Sequence, residues 1–187
     1  MSNSSYTNHV TYLDIIAGIT LSIQPKKIIE FGILNGHSLK TFYNYSDKNT
    51  QIYAYDIFDD FNGNSANKIE IENMFKNSNN VTIEYGDYYS QYKSIDDNSI
   101  DILHIDIANN KEVYNFCIDN YLTKISDSGC IILEGGSKER DEVEWMNKYN
   151  KPKIFPYIEQ LKERDDIVID TIGTNPSITI LKKIIHK

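Results

Sequence analysis

The stretch that decides the fold is Lys27-Ile28-Ile29-Glu30-Phe31-Gly32-Ile33-Leu34-Asn35-Gly36-His37-Ser38. An apolar run ends in a turn with two glycines, and the turn leads directly into a helical pattern. Glycine lets the backbone turn sharply and lets a ligand approach it, and Ser38 and the first helical amides can donate hydrogen bonds to an anionic group. The stretch predicts a strand, a ligand-binding loop and a helix; the alternative is a plain tight turn before a capped helix.

Outward from this stretch, short strand-like runs alternate with longer mixed segments. The first five runs are separated by about 15 to 25 residues, which is the length that a crossover helix needs between parallel strands. Several runs are almost entirely apolar, as expected for strands covered on both faces. The predicted strands are 27–31, 51–56, 81–85, 100–106, 129–134, 167–172 and 177–183.

The last two runs are separated only by Gly173-Thr174-Asn175-Pro176, which is too short for a helix and suits a hairpin turn. The sequence therefore predicts an α/β fold of the doubly wound, Rossmann-like type. Its seven-stranded, mostly parallel sheet ends in a C-terminal antiparallel hairpin and carries helices on both faces. The predicted helices are 10–23, 39–45, 65–77, 111–122 and 139–149.

Length and charge restrict the class of protein. A chain of 187 residues is enough for one domain with a core, so we expect a single domain over residues 1–187, with 1–9 as a loose tail. The net charge of −8 argues against a nucleic-acid or anionic membrane partner. Two cysteines and the absence of a long apolar run or a signal peptide favour a cytoplasmic protein.

Acidic residues stand at the ends of the second and third predicted strands. An acid at the end of a strand, such as Asp56, can accept hydrogen bonds from both hydroxyls of a ribose. Asp87 is followed by Tyr88, a combination that suits an amine donor and a stacked base. Each acid alone is equally typical of a helix cap or a solvated turn.

These motifs resemble the class I S-adenosylmethionine-dependent methyltransferases, in particular the small O-methyltransferase-like branch (methyltransferase domain family 24 type). In that branch the first strand ends in the pattern E-x-G-x-x-x-G-x-S, which Glu30, Gly32, Gly36 and Ser38 match here. The run 100–106, which ends in His-Ile-Asp, is similar to the fourth strand of the branch. The glycine turn before the fifth strand and the terminal hairpin also fit, so the resemblance spans about residues 10–185.

The resemblance implies S-adenosylmethionine as cofactor and a role for each matching residue. The methionine end would be held by the first-strand motif, the ribose by Asp56, and the adenine by Asp87 with Tyr88. Asp106 would face the sulfonium and the acceptor. His104 is a second catalytic candidate, and its alternative is a core histidine on the same face, one repeat deeper.

Some members of the branch use a divalent ion to activate the acceptor hydroxyl. The resemblance would place Mg²⁺ on Asp106 and Glu134, which are oxygen ligands of the kind that this ion prefers. Gly135 and Gly136 stand where the second member of the family's ligand pair would be. This departure from the family pattern argues against a metal.

The loop after the fifth predicted strand supplies two further candidates. Arg140 can clamp a carboxylate or phosphate, and Trp145 can line an acceptor pocket. The alternative is a solvated, charged helix with the tryptophan packed inward.

The expected function is methyl transfer to a small-molecule acceptor, for example a hydroxyl of a sugar or another metabolite. One alternative is an NAD(P)-dependent oxidoreductase, which requires G-x-G-x-x-G, whereas Leu34 stands at the second glycine position. Another is a nucleotide-binding module that kept the fold without catalysis. The exposed antiparallel edge also suggests pairing of two copies into a homodimer.

Overall fold

One sheet organises the chain, which a computed structural model describes over residues 10–60 and 64–185. Its strand order, β3-β2-β1-β4-β5-β7-β6, places β1 next to β4, so the order reverses at the centre of the sheet. The strands are β1 (Lys27–Phe31), β2 (Gln51–Asp56), β3 (Val81–Tyr85), β4 (Ile100–Ile105), β5 (Ile125–Glu134), β6 (Ile167–Gly173) and β7 (Ser177–Lys183).

Helices connect the strands and cover both faces of the sheet. The longest, α1, begins with a capping box in which Thr11 and Asp14 exchange hydrogen bonds, an arrangement that satisfies amides at a helix start. The helices are α1 (Tyr12–Ile23), α2 (His37–Tyr45), α3 (Lys68–Met74), α4 (Tyr88–Gln91), α5 (Lys111–Tyr121), α6 (Glu144–Lys148) and α7 (Phe155–Leu161).

Two hydrophobic clusters lie on opposite faces of the sheet, because alternate residues of a strand point to opposite faces. In β1, Ile28 belongs to the cluster under α1 and α2, whereas Ile29 belongs to the cluster under α5 and α7. Glu30 and His104 occupy fully buried positions in β1 and β4 and are paired in register. These two ionisable side chains therefore lie on the α1 side of the core.

The predicted topology is confirmed. Strands β1 to β5 pair in parallel, and β7 pairs antiparallel with both β5 and β6. Strand β7 lies between β5 and β6, so the free edge on this side of the sheet is β6. Pairing of two copies through this edge stays a prediction.

The helices agree less closely with the sequence pattern. The predicted helix 139–149 is a short 3-10 turn, Arg140–Glu142, followed by α6, and the predicted helix 65–77 shortens to α3. The sequence analysis missed α4 and α7. Pro156 lies in the first turn of α7. A proline at this position breaks no helical hydrogen bond, so it is compatible with the start of a helix, although proline in a sequence usually indicates a loop.

No helix in the described ranges is long and apolar enough to cross a membrane. Residues 1–9, the predicted loose tail, lie outside those ranges, as do 61–63 and 186–187.

The loop after β1 approaches the end of β4 so closely that only glycine fits at position 32. Gly32 has a φ of +89°, and a Cβ atom there would overlap the carbonyl oxygen of Asp106. The Gly32 N–H donates to the Tyr55 carbonyl at 3.0 Å, and the Asp106 N–H donates to the Phe31 carbonyl at 2.9 Å. These contacts bring the carboxyl ends of β1, β2 and β4 together.

Substitution of Gly32 by alanine should lower the free energy of unfolding by about 2 to 5 kcal/mol, because left-handed strain and steric overlap add. The matched control is Gly18→Ala in α1, where the added methyl group meets nothing within 4 Å. The free energy of unfolding of this variant should rise by about 0.5 to 1 kcal/mol. Urea unfolding followed by circular dichroism measures both. Equal stabilities of Gly32→Ala and wild type would contradict the close approach.

Candidate active site at the carboxyl edge of the sheet

A cavity of about 530 Å³ opens at the carboxyl ends of the parallel strands. It lies beside the switch point between β1 and β4, where ligands bind in open α/β sheets. Its lining includes Asp56, Asp87 and Asp106, which lie at or just after the carboxyl ends of β2, β3 and β4, together with apolar groups. The apolar part is supplied by Phe31, Leu34, Tyr55, Ile57, Ala108 and Val113.

The loop after β1 forms one wall of this cavity. Gly36 has a φ of +71° and begins α2 without a side-chain cap, and its N–H closes a turn onto the Ile33 carbonyl at 2.8 Å. Gly32 and Leu34 line the cavity, whereas Gly36 and Ser38 do not. Leu34 also has a positive φ, of 46°, and its side chain is half exposed.

Asp56 braces this loop from β2. Its Oδ2 accepts a hydrogen bond from the Ile33 N–H at 2.7 Å. Its Oδ1 accepts from the Phe58 N–H at 2.8 Å and from the Asn64 side-chain amide at 2.7 Å. Asp56 therefore borders the cavity with a carboxylate already fixed in orientation. The predicted ribose contact of Asp56 stays a prediction.

The end of β3 contributes a pair of tyrosines. Asp87 accepts from the Tyr89 N–H at 3.1 Å and so caps α4. Tyr88 is buried, donates to the Val113 carbonyl at 3.0 Å and stacks on Tyr121, so it borders the cavity from the core. Tyr89 also lines the cavity and is exposed, which makes it the more accessible aromatic surface for a ligand.

Asp106 lies directly after β4 and faces the cavity. Asp106 is an exposed residue, but neighbouring protein atoms partly desolvate its carboxyl group, and this desolvation raises the pKa of Asp106 to about 6. His104 opposes the increase, whereas the nearby carboxylates of Glu134 and Glu30 add to it. Asp106 therefore changes charge within one unit or so of neutral pH, as a catalytic acid or base does.

Glu30, Ser38 and His104 meet one layer below the cavity, on the α1 face of the sheet. The Ser38 hydroxyl donates to Glu30 Oε1, and His104 Nδ1 lies 2.9 Å from the same oxygen. The hydroxyl of Tyr12 lies 2.9 Å from His104 Nε2. Glu30 and His104 do not line the cavity, so their predicted roles in binding and catalysis stay predictions.

Arg140 and Trp145 pack against the end of β5. Arg140 Nε lies 2.5 Å from Glu134 Oε1, and Nη2 lies 2.7 Å from Oε2. The guanidinium lies 5.3 Å from the Trp145 ring centroid, and only 6% of Arg140 is exposed. Neither Arg140 nor Trp145 lines the cavity, so their predicted contact with a substrate stays a prediction.

The structure thus brings Gly32, Asp56, Asp87, Tyr88 and Asp106 together around one cavity. The sequence analysis missed other lining residues, among them Asn64 and Lys151. Lys151 follows α6 on the loop to α7, and nothing in the sequence pattern indicated that this loop reaches the cavity. Nothing in the sequence pattern singled out Tyr12, which lies in the predicted helix 10–23.

Comparison with known proteins decides the family. A family model described as a methyltransferase domain matches residues 29–134, more than half of the chain. The chain belongs to this methyltransferase domain family. The match begins in β1 and ends with β5, and so includes each strand end that contributes to the cavity. No curated protein sequence matches the chain significantly.

Solved structures show the same fold in other methyltransferases. A candidate caffeoyl-CoA O-methyltransferase from Staphylococcus aureus is 20% identical, with a TM-score of 0.70 over 94% of this chain and 85% of that chain. The O-methyltransferase TomG from Streptomyces achromogenes, solved with S-adenosylmethionine, is 12% identical, with a TM-score of 0.68 over 94% and 81%. An O-methyltransferase from Bacillus cereus, solved with S-adenosylhomocysteine, is 14% identical, with a TM-score of 0.66 over 95% and 82%.

In this methyltransferase domain the predicted magnesium ligands do not suit a divalent ion. Both carboxylate oxygens of Glu134 are engaged by Arg140, and a guanidinium beside the site repels a cation. In the described ranges no group of three or more His, Cys, Asp or Glu side chains is arranged to hold a metal. The residues at this position therefore do not fit a divalent metal ion.

Substitution of Arg140 by alanine should destabilise the protein by about 3 to 5 kcal/mol, because it leaves the largely buried carboxylate of Glu134 without its counter-charge. The matched control is Arg164→Ala, which breaks the exposed pair with Asp166 and should cost less than about 1 kcal/mol. Thermal unfolding by calorimetry compares the two variants. Equal effects would contradict the buried pair.

Proposed function

We propose that the chain is an S-adenosylmethionine-dependent O-methyltransferase that acts on a hydroxyl group of a small-molecule acceptor. The observation that carries the proposal is the cavity itself, in which acids lie at or just after the carboxyl ends of β2, β3 and β4 at one edge of the sheet. The solved O-methyltransferases with the same fold, bound to S-adenosylmethionine or S-adenosylhomocysteine, support it.

The donor groups of the cavity fit the parts of this cofactor. The fixed carboxylate of Asp56 can accept hydrogen bonds from the ribose hydroxyls. Apolar surface from Ile57 and Ala108 suits the adenine ring, and Asp87 can accept from its amino group. An ionised Asp106 attracts the positive sulfonium. When bound, S-adenosylmethionine supplies an electrophilic methyl group.

The protein's own part in the reaction is alignment and proton removal. The loop after β1 and the end of β4 are in close contact at Gly32, which makes this wall of the cavity rigid. A rigid wall can align donor and acceptor, and such positioning accounts for much of the acceleration of a displacement reaction. A hydroxyl acceptor must also lose its proton, so the site needs a proton acceptor near Asp106.

The oxidoreductase alternative fits this loop poorly. In dinucleotide-binding folds the second glycine lets the backbone approach the pyrophosphate closely. In this chain Leu34 occupies that position, and it lines the cavity. The acidic net charge of −8 and the size of the cavity support a small acceptor over a nucleic acid.

Calorimetric titration with S-adenosylmethionine, S-adenosylhomocysteine and NAD tests the cofactor class. Wild type should bind the two sulfur ligands and not NAD. Asp56→Ala should weaken their binding by about a hundredfold or more, because hydrogen bonds to a charged group contribute about 1.5 to 3 kcal/mol each. Asp60→Ala removes a nearby exposed acid outside the cavity and should bind normally. Binding of NAD alone would favour the oxidoreductase.

The preference for the sulfonium ligand should depend on pH. Because the pKa of Asp106 is raised to about 6, the carboxyl group is neutral below that pH and negative above it. The affinity for S-adenosylmethionine relative to S-adenosylhomocysteine should therefore rise as the pH increases through about 6. The two ligands differ only in the methyl group and the positive charge on sulfur, so their other ionisable groups cancel in the ratio of affinities. In Asp106→Asn this ratio should not depend on pH. A pH-independent ratio in wild type would show that Asp106 does not face the sulfonium.

A further inference from the structure

A single cation lies among the ionisable side chains that the described part of the chain contributes to the cavity. The acidic lining residues are Asp56, Asp87, Asp106 and Glu112, and the basic one is Lys151. Carboxylates attract the positive sulfonium and ammonium groups of the proposed cofactor, whereas a lysine repels them. Lys151 therefore needs a different explanation from the acids around it.

The ammonium group of Lys151 has no partner in the ranges that the structure describes. It forms no hydrogen bond or ion pair there, although Lys151 is only partly exposed. Two residues further on, the ammonium of Lys153 lies 3.1 Å from Glu142 Oε1 and 3.0 Å from Asn147 Oδ1. Lysines shielded from solvent are usually paired, so an unpaired one in a ligand cavity favours an anion as its partner.

Backbone hydrogen bonds hold Lys151 beside the start of α5. The Lys151 N–H donates to the Met146 carbonyl at 2.8 Å, and the carbonyl of the next residue, Pro152, accepts from the Lys111 N–H at 3.0 Å. The base of the side chain is therefore fixed, while its four-carbon stem stays flexible. A flexible stem with a compact positive charge suits the binding of a carboxylate or a phosphate.

Lys151 comes from a part of the chain that the family match does not include. The methyltransferase domain model matches residues 29–134, and the other described lining residues lie between Phe31 and Val113. The matched part supplies the strand ends that suit the cofactor, which all members of the family have in common. A lining residue from outside it is suited to recognise the acceptor, which differs from one methyltransferase to another.

The cofactor has an anionic group of its own, the carboxylate of its methionine end. The first-strand motif predicts that this end binds at the loop after β1, where Gly32 and Leu34 line the cavity. Lys151 borders the cavity from a different element, the loop between α6 and α7. The anion that remains for Lys151 is therefore one on the acceptor.

We propose that Lys151 binds an anionic group of the acceptor, a carboxylate or a phosphate, and so selects hydroxyl compounds that also carry an acid. This inference rests on the proposed function. The carboxylates of the cavity repel such an acceptor, and Lys151 offsets that repulsion at one place. Lys151 determines specificity in this scheme and takes no part in making or breaking bonds.

Calorimetric titration of the complex with S-adenosylhomocysteine tests the proposal with matched pairs of compounds. Each pair shares a hydroxylated scaffold and differs in one anionic group: protocatechuate against protocatechuyl alcohol, and glucose-6-phosphate against glucose. Wild type should bind the anionic member of at least one pair about 10- to 100-fold more tightly than the neutral member, which is the usual contribution of a hydrogen bond to a charged group.

Substitution of the lysine should remove this preference. Lys151→Met keeps an apolar stem without the charge and should bind both members of the pair equally, whereas Lys151→Arg should retain the preference. The matched control is Lys148→Met, which changes an exposed lysine at the end of α6 outside the cavity lining and should also retain it. Lys151→Met should unfold at the wild-type temperature, because the ammonium has no contact in the described ranges to lose.

The other outcomes overturn the proposal. They are a wild type without preference for either anionic compound, a preference that persists in Lys151→Met, and an equal loss of preference in Lys148→Met. Weaker binding of S-adenosylhomocysteine by Lys151→Met also overturns it. Unchanged binding of 5′-methylthioadenosine, which lacks the amino-acid part, would then assign the lysine to the cofactor carboxylate. Failure of wild type to bind S-adenosylhomocysteine overturns the proposed function itself.

Discussion

The close contact between Gly32 and the carbonyl of Asp106 is the constraint on which the site depends. It is available only to a residue without a Cβ atom, and it brings the loop after β1 against the end of β4. Asp56 then reaches the Ile33 amide from β2, so three strand ends share one rigid edge. A preorganised edge of this kind lets side chains act on a ligand without first being ordered.

The sheet could be predicted from sequence because its strands are buried on both faces, which makes them short, continuous apolar runs with crossover-length spacers. The antiparallel hairpin could also be predicted, because the four-residue connection before Ser177 is too short to contain a helix. The segment after β5 could not be predicted in this way. Its path depends on tertiary contacts, in particular Asp141, which accepts hydrogen bonds from the Ile154 and Phe155 amides at the start of α7.

The site was predictable where position along a strand was sufficient. Asp56 and Asp106 line the cavity because the carboxyl ends of parallel strands meet at one edge. The contact of Glu30 with His104 required the register of β1 against β4, and that of Tyr12 required the packing of α1, neither of which a single sequence contains. The pair of Glu134 with Arg140 likewise arises from the fold and argues against the metal site that the family resemblance implied.

The most direct measurement is a crystal structure of the protein with S-adenosylhomocysteine. The account predicts the ligand in the cavity at the carboxyl edge, with the ribose hydroxyls on Asp56, the adenine beside Asp87 and the sulfur facing Asp106. A ligand bound elsewhere, or bound in the cavity without contact to Asp56 and Asp106, would contradict it.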